Sequence, residues 1–195
     1  LIGISDKKFK IIINYELVNI FIEELTPFAK FFGVSFIETH NYICATVEST
    51  PFSKRVFLKN SDFALSLNIQ KEIKSIAKTI SEEEWSIANM LLGNFYLSKK
   101  NIGKYRPLEI NYDKQRVSFD KGCFRGQEIV ARMKYLGVDR RKFCTIISKN
   151  EIAENKDLQI LGKTLKFKDS FICLSIVKKD FLEVLVKDNS SIVII

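Results

Sequence analysis

The most informative run of the chain is Lys121-Gly122-Cys123-Phe124-Arg125-Gly126-Gln127-Glu128-Ile129-Val130-Ala131-Arg132. It places one thiol between two cationic side chains, on a loop bounded by two glycines. Glycine adopts backbone angles that other residues avoid, so a ligand or a second chain can approach this loop closely. From Gln127 the apolar residues Ile129, Val130, Met133 and Leu136 recur on one side of a helix, and Gly137 is placed to end it. We therefore predict that Cys123 lies near a helix N-terminus.

The surroundings of Cys123 favour the thiolate, which is the reactive form of cysteine. A helix N-terminus and the neighbouring Lys121 and Arg125 all stabilise negative charge, so we expect the pKa of Cys123 to fall below its free value of about 8.5. Cysteine is also often a small buried apolar residue, and composition alone leaves both interpretations open. Glu128 and Arg132, four residues apart, are expected to form an ordinary pair on the helix surface.

The same run resembles the signature of the YgfZ family, folate-binding proteins related to the aminomethyltransferase (T-protein) of the glycine cleavage system. The resemblance extends upstream through Pro107, Asn111 and residues 117–119, and downstream through Tyr135, Gly137 and residues 140–141. A weaker match surrounds Trp85 and Gly93. Nine of the twelve signature positions match: Lys121, Gly122, Cys123, Phe124, Gly126, Gln127, Glu128, Ala131 and Arg132.

The resemblance implies a role for several residues. Lys121 and Cys123 would form the functional centre, with Arg132 supporting them. Trp85 would provide an aromatic wall against which a pterin stacks, although without the resemblance it is better interpreted as a helix core residue. The other residues implied in binding tetrahydrofolate are Asn111, Gly122, Gly126, Gln127 and Glu128.

The function implied by the resemblance is support of iron–sulfur enzymes, including a radical enzyme that methylthiolates tRNA, in a tetrahydrofolate-dependent manner. Folate and iron–sulfur client enzymes or assembly factors would be the partners, and the chain would be an accessory protein rather than an enzyme. The alternative is a folate-dependent aminomethyl or one-carbon transferase, which needs a carboxylate for proton transfer. Glu128 is the one acid inside the signature, and we expect it to serve the helix instead.

Two further functional classes have less support in the sequence. An RNA-binding module would use the basic residues 121–142, but the sequence shows no surface aromatic set of the kind that reads RNA bases, so we do not expect direct contact with tRNA. A nucleophilic hydrolase would need a histidine base, and His40 is the sole histidine.

Two departures from the family pattern bear on folate. Leu91 stands where the family commonly has an acidic residue, and its apolar side chain cannot pair with the amino and ring N–H groups of a pterin. We also expect that the chain begins after the opening segment of the family, so that Phe9–Ile13 would correspond to an internal strand. We therefore expect folate recognition to be weaker than the cysteine chemistry.

Composition restricts the class of protein, the kind of metal site and the compartment that we expect. The 195 residues are 46% hydrophobic, enough for a sizeable core, and no apolar stretch reaches the length of a membrane span. The four cysteines lack C-x-x-C spacing, which argues against a structural zinc or an iron–sulfur cluster held by one chain and favours reduced thiols in the cytoplasm. Targeting cannot be judged because residue 1 is leucine and the true N-terminus is expected to be missing.

The net charge of +8 is concentrated around the signature, where residues 121–142 hold seven basic and two acidic side chains. Such a patch favours an anionic ligand: a polyglutamate tail, a phosphate or RNA. The alternative is a solvated helix end at which Lys134 complements the helix dipole.

The pattern of elements predicts an α+β fold with two domains. Residues 1–138 would form an aminomethyltransferase-like folate-binding domain, N-terminally incomplete, and residues 139–195 a small antiparallel β-barrel. The N-terminal predictions are a strand at Phe9–Ile13, an N-cap at Asn14, a helix restart at Thr26-Pro27, a hairpin of Val34–Glu38 with Ile43–Val47 around His40, and a strand at Arg55–Leu58. The later predictions are a helix at Ile69–Ile80, a second helix that begins with a capping box at residues 81–84 and runs to about Leu97, a mostly irregular segment from Asn101 to Asp120, and strands at Phe143–Ile147, Thr164–Lys168, Phe171–Val177, Phe181–Val186 and Ile192–Ile195. Cys44, Cys144 and Cys173 each lie in alternating or β-rich apolar runs, so we expect them in the core.

Overall fold

A computed structural model describes most of the chain, namely residues 2–39, 41–49, 56–60, 62–72, 79–114, 116–120, 122, 126–137, 140–188 and 192–194. The chain forms two compact units, Leu1–His40 with Tyr96–Lys104, and Asn41–Phe95 with Tyr105–Ile195. The division at residues 138–139 stays a prediction. Within the described ranges, no helix is both long enough and apolar enough to cross a bilayer.

The first unit contains two short antiparallel strands, β1 (Ile2–Ser5) and β2 (Lys8–Lys10), and the helix α1 (Val18–Phe31). The predicted strand at Phe9–Ile13 therefore overlaps β2 only at its first two residues. The predicted cap at Asn14 is confirmed, because its Oδ1 accepts a hydrogen bond from the Glu16 N–H at 3.0 Å. This bond starts a 3₁₀ turn, Tyr15–Leu17, that leads directly into α1.

The predicted helix restart at Thr26-Pro27 is wrong, because α1 continues through Pro27. The Thr26 hydroxyl donates to the Ile22 carbonyl at 2.6 Å, so it bonds back into the preceding turn instead of capping a new helix. Proline has no N–H to donate, so α1 lacks one intrahelical hydrogen bond at Pro27.

The second unit contains a three-stranded antiparallel sheet in the order β3-β5-β4, built from β3 (Tyr42–Glu48), β4 (Val56–Lys59) and β5 (Ala64–Gln70). The predicted strand Ile43–Val47 falls on β3, and residues 56–58 of the predicted strand Arg55–Leu58 fall on β4, whereas Arg55 lies outside the described residues. The predicted hairpin is wrong, since β3 pairs with β5 and Val34–Glu38 forms no strand. His40, on which that hairpin was centred, lies outside the described residues.

The predicted helix at Ile69–Ile80 is wrong at its start, because Ile69 and Gln70 complete β5. Leu65, Leu67 and Ile69 recur with the period of two that a strand requires. Residues 73–78, in the middle of that prediction, lie outside the described residues.

Helix α2 (Glu82–Leu91) begins at the predicted capping box. The Glu84 N–H donates to Ser81 Oγ at 3.1 Å, and the Ser81 N–H donates to the Glu84 carboxylate at 2.7 Å. The helix ends earlier than predicted, because Gly93 adopts a φ of +62° and turns the chain.

The segment after α2 is mostly irregular, as predicted, with 3₁₀ turns at Pro107–Ile110 and Tyr112–Lys114. It leads to helix α3 (Gln127–Leu136), whose bounds agree with the prediction from the signature.

A four-stranded antiparallel sheet follows, with β6 (Arg141–Ser148), β7 (Leu158–Phe167), β8 (Ser170–Lys178) and β9 (Ile192–Ile194) in the order β7-β8-β6-β9. The expected small barrel is not what the described strands form: β7 and β9 are the two edges of an open sheet. The predicted strand Phe181–Val186 is also wrong, because it belongs to helix α4 (Lys179–Asp188). Its residues Phe181, Leu182 and Leu185 pack at helical spacing against the sheet.

The four-stranded sheet is covered on both faces. One face carries Cys144, Ile146 and Cys173, against which α4 packs. On the other face, the Thr145 hydroxyl donates to the Met90 carbonyl in α2. Helix α2 also packs Ala88 against Leu65 of the small sheet, so it lies between the two sheets of this unit.

Candidate functional site

The signature run is described in part. Lys121, Cys123, Phe124 and Arg125 lie outside the described residues, whereas Gly122 and everything from Gly126 to Gly137 are described. Gly126 adopts a φ of +82°, which side chains strongly disfavour, and its carbonyl accepts the first helical bond from Val130 at 3.3 Å. The helix that follows Cys123 in sequence therefore begins where the signature predicts.

Helix α3 buries a narrower face than its sequence suggests. Val130 is buried, and the Met133 sulfur lies 3.9 Å from a guanidinium nitrogen of Arg106. Ile129 and Leu136, predicted to share that face, are 57% and 78% exposed, so this part of the prediction is wrong. A large part of the apolar surface of α3 is therefore solvent-facing.

Lys134 marks the other end of α3. Its ammonium lies 3.4 Å from the centroid of the Phe119 ring, just upstream of the signature. A cation so close to an aromatic face gains about 0.5–1 kcal/mol at an exposed position. Phe119, just before the signature, thus lies beside the last turn of α3. Gly126, within the signature, caps the first turn of the same helix.

Arg132 forms the predicted surface pair. Its guanidinium contacts the Glu128 carboxylate at 2.8 Å, and both side chains are largely exposed. An exposed pair at this spacing stabilises a helix by a few tenths of a kcal/mol. A supporting role for Arg132 towards Cys123 stays a prediction, as does binding by Gln127.

The structure places Trp85 among packed apolar residues. The side chain is half-buried against Leu65 and Ala88, which is the position of a helix core residue. Leu91, at the last turn of α2, is half-buried and carries no polar group. This packing agrees with the interpretation of Trp85 as a helix core residue; its predicted contact with a pterin stays untested, and we derive no step through tetrahydrofolate.

Asn111 has a backbone role. Its φ of +55° is a left-handed conformation that asparagine tolerates better than most residues. Its N–H donates to the Leu108 carbonyl at 3.4 Å and its carbonyl accepts from the Lys114 N–H at 3.3 Å, so it joins the two 3₁₀ turns. Its predicted hydrogen bond to a ligand stays untested.

A buried amide network lies beside these positions and was not predicted from the sequence. Asn94 Nδ2 donates to Asn89 Oδ1 at 2.7 Å, and Asn89 Nδ2 donates to the Trp85 carbonyl at 2.8 Å. Arg116 completes the chain by donating to Asn94 Oδ1 at 2.8 Å, with its guanidinium 4.2 Å from the centroid of the Tyr112 ring. The network ties the segment before the signature to the end of α2. Its one sequence signal was the pair of amides on either side of the Gly93 turn.

The three described cysteines differ in burial. Cys144 and Cys173 are buried in the four-stranded sheet, as predicted, whereas Cys44 is half-buried in β3. Burial raises the pKa of Cys144 to about 11, and it also raises the pKa of Cys173. Both buried thiols are therefore protonated at neutral pH and poor nucleophiles. Across the described ranges, His, Cys, Asp and Glu side chains form no cluster of three that could hold a metal ion.

Comparison with known proteins gives the signature its context. No protein-family model matches the chain. A tRNA-modifying protein YgfZ from Colwellia psychrerythraea is 40% identical over 68 residues, which are 34% of this chain and 21% of that protein. A tRNA-modifying protein YgfZ from Buchnera aphidicola is 28% identical over 147 residues, or 70% of this chain and 46% of that protein. The chain is similar to YgfZ proteins over these parts of its length.

The resemblance drawn from the signature to the YgfZ family is thereby confirmed. An uncharacterized protein from Haemophilus influenzae extends the comparison, with 26% identity over 144 residues, covering 72% of this chain and 51% of that protein. The chain spans between about a fifth and a half of the length of these three relatives.

Proposed function

We propose that this protein is a YgfZ-like accessory protein that supports iron–sulfur cluster assembly or repair in client enzymes, including enzymes that methylthiolate tRNA. Cys123 is its reactive thiol, acting in redox chemistry or as a transient ligand. The names of the YgfZ relatives, which are tRNA-modifying proteins, support the link to tRNA. Tetrahydrofolate remains a ligand predicted from the resemblance alone.

The observation that carries the proposal is the start of α3 at its N-cap Gly126, three residues after Cys123 in the sequence. The N–H groups of a first helical turn stabilise a nearby anion, and a thiolate is such an anion. Lys121, two residues before Cys123, adds positive charge to the same part of the chain. The sequence around Cys123 thus combines two influences that lower a thiol pKa.

The other described thiols do not offer the same chemistry. Cys144 and Cys173 are buried under α4, and burial raises the pKa of each. A client protein reaches neither without opening the core of the sheet. Cys44 is accessible in part, but it lies in β3, away in sequence from the signature.

The transferase alternative needs a carboxylate whose proton affinity is matched to the reaction. Glu128 is exposed and paired with Arg132 at 2.8 Å, which is the arrangement of a helix-surface residue. This observation favours the accessory role over aminomethyl transfer.

The proposal is tested by rescue of cells that lack their own YgfZ homologue. The measured quantities are tRNA methylthiolation and the activity of an ordinary iron–sulfur dehydratase. We expect the wild type and the matched control Cys44→Ala to restore both, and Cys123→Ala to restore neither although it accumulates and folds. Equal rescue by Cys123→Ala, or no rescue by the wild type, would contradict the proposal.

A further inference from the structure

Five basic side chains gather at one end of the four-stranded sheet. They are contributed by the start of β6, the loop before β7, the end of β8 and the start of α4. Arg141 is the register partner of Lys178, and the Lys179 N–H donates to the Arg140 carbonyl at 3.1 Å. The five residues are Arg140, Arg141, Lys156, Lys178 and Lys179.

An open cleft of about 310 Å³ lies at this end of the sheet. Two cations, Arg141 and Lys156, line it together with two carboxylates, Glu154 and Asp157, and with the uncharged polar residues Asn155 and Gln159. Asn155 shapes the loop, because its Oδ1 accepts from the backbone N–H groups of residues 157 and 158 at 2.8 and 3.0 Å. The cationic side chains are therefore presented on a hydrogen-bonded loop and on paired strands.

Three carboxylates lie near these cations, and two of them have other tasks. Asp157 accepts from Lys178 Nζ at 2.6 Å, and Glu154 accepts the Ile160 N–H at 2.7 Å. Asp180 lies in the first turn of α4. Among the described residues, Arg140, Arg141 and Lys156 form no ion pair, and the five cations at this end of the sheet outnumber the three carboxylates.

The positive charges around the cleft act on Asp157, one of the carboxylates that line it. The hydrogen bond from Lys178 lowers the pKa of Asp157, and the positive charges of Lys178, Lys156 and Arg141 lower it further. Cationic side chains from β6, from β8 and from the loop before β7 therefore all act on Asp157, and they would act in the same way on a bound phosphate.

We propose that this cleft binds the phosphate backbone of a structured RNA such as tRNA. Strands lie about 4.8 Å apart, so cations on β6 and beside β7 span roughly 10 Å, enough to contact two or three successive phosphates. The aromatic side chain at its edge, Tyr105, is half-buried and packs edge-on against Phe95 at 5.8 Å. It offers no stacking platform, so the contacts are to the backbone and position the RNA without reading its bases.

This surface explains how a chain without base-stacking aromatics can still contact tRNA. The expectation of no direct contact with tRNA rested on base recognition, which requires exposed rings. Backbone binding requires cations alone. RNA binding by this cleft does not depend on Cys123, so it and the proposed accessory function can fail separately.

The test is binding of purified chain to labelled total tRNA at several salt concentrations. We expect Arg140→Gln/Arg141→Gln/Lys156→Gln to bind at least tenfold more weakly at low salt, and the slope of log affinity against log salt to fall by about two. The matched control is Lys149→Gln/Lys163→Gln/Lys166→Gln, which removes the same charge from exposed positions further along the sheet. We expect it to lose less than about threefold.

A variant expected to bind tRNA more tightly distinguishes a change in charge from a loss of folding. Asp157→Asn removes the carboxylate that holds Lys178, so we expect tRNA binding to tighten by about two- to threefold. Thermal unfolding checks that every variant is folded. Equal loss in the two triple variants, absence of tRNA binding by the wild type, or weaker binding by Asp157→Asn would overturn the inference.

Discussion

The four-stranded sheet and helix α3 bury their apolar residues to very different extents. Strands β6 and β8 bury consecutive residues on both faces, between α2 and α4. Helix α3 buries Val130, while Ile129, Tyr135 and Leu136 remain largely exposed. The sheet is therefore a scaffold stabilised by packing. Helix α3, whose first half belongs to the signature, instead exposes much of its apolar surface to solvent. Substitutions should therefore affect stability in the sheet and function around the signature.

The largest effect should come from the sheet core. Leu158→Ala deletes a fully buried side chain and should lower the free energy of unfolding by about 2–5 kcal/mol, through lost burial and the cavity left behind. Leu136→Ala on α3 makes the same chemical change at an exposed position and should alter the free energy of unfolding by less than about 0.5 kcal/mol. Urea denaturation of both variants measures the difference, and equal losses would remove the distinction between the two regions.

The amide network should give the next largest effect. Asn94→Ala leaves Asn89 Oδ1 without its donor in a buried place, and should cost about 1–3 kcal/mol of unfolding free energy. A double-mutant cycle with Arg116→Ala measures the coupling across their 2.8 Å bond. Strictly additive losses would show that the bond between Arg116 and Asn94 does not stabilise the end of α2.

The pair of Asp157 and Lys178 should give a smaller effect that depends on pH. The lowered pKa of Asp157 means that its contribution is fully present above the unfolded value of about 3.9 and is lost as the pH falls through the folded value. Asp157→Asn should therefore be less stable than the wild type at pH 7 and converge with it in acid. Unfolding midpoints measured from pH 7 to pH 2 check this, and a constant difference would contradict it.

The smallest effect is expected on α3. Glu128→Gln removes an exposed pair with Arg132 and should cost no more than about 0.5 kcal/mol, decreasing further as salt is added. A salt-independent loss above about 1 kcal/mol would show that Glu128 has a structural role beyond the helix surface.

Local signals were the ones that sequence reasoning interpreted correctly. The capping box at Ser81, the Asn14 cap and the limits of α3 depend on residues within one or two turns of each other. Such bonds form whatever the rest of the chain does, so they can be predicted from the sequence.

Tertiary packing explains the predictions that were wrong. Phe181–Val186 contains alternating and β-branched residues that suit a strand, yet it is helical because Phe181, Leu182 and Leu185 cover one face of the sheet. The pairing of β3 with β5 likewise depends on a partner distant in the sequence. The amide network was missed because its members meet only after the chain turns at Gly93.

The central claim is that Cys123 is the reactive thiol, and alkylation of the native protein tests it most directly. Iodoacetamide labelling is followed over pH 5–10, with mass spectrometry to assign each cysteine. We expect Cys123 to react first, with a midpoint below its free value of about 8.5, while Cys144 and Cys173 stay unlabelled until the protein unfolds. Labelling of Cys123 with a midpoint at or above about 8.5, or no faster than Cys144, would contradict the account.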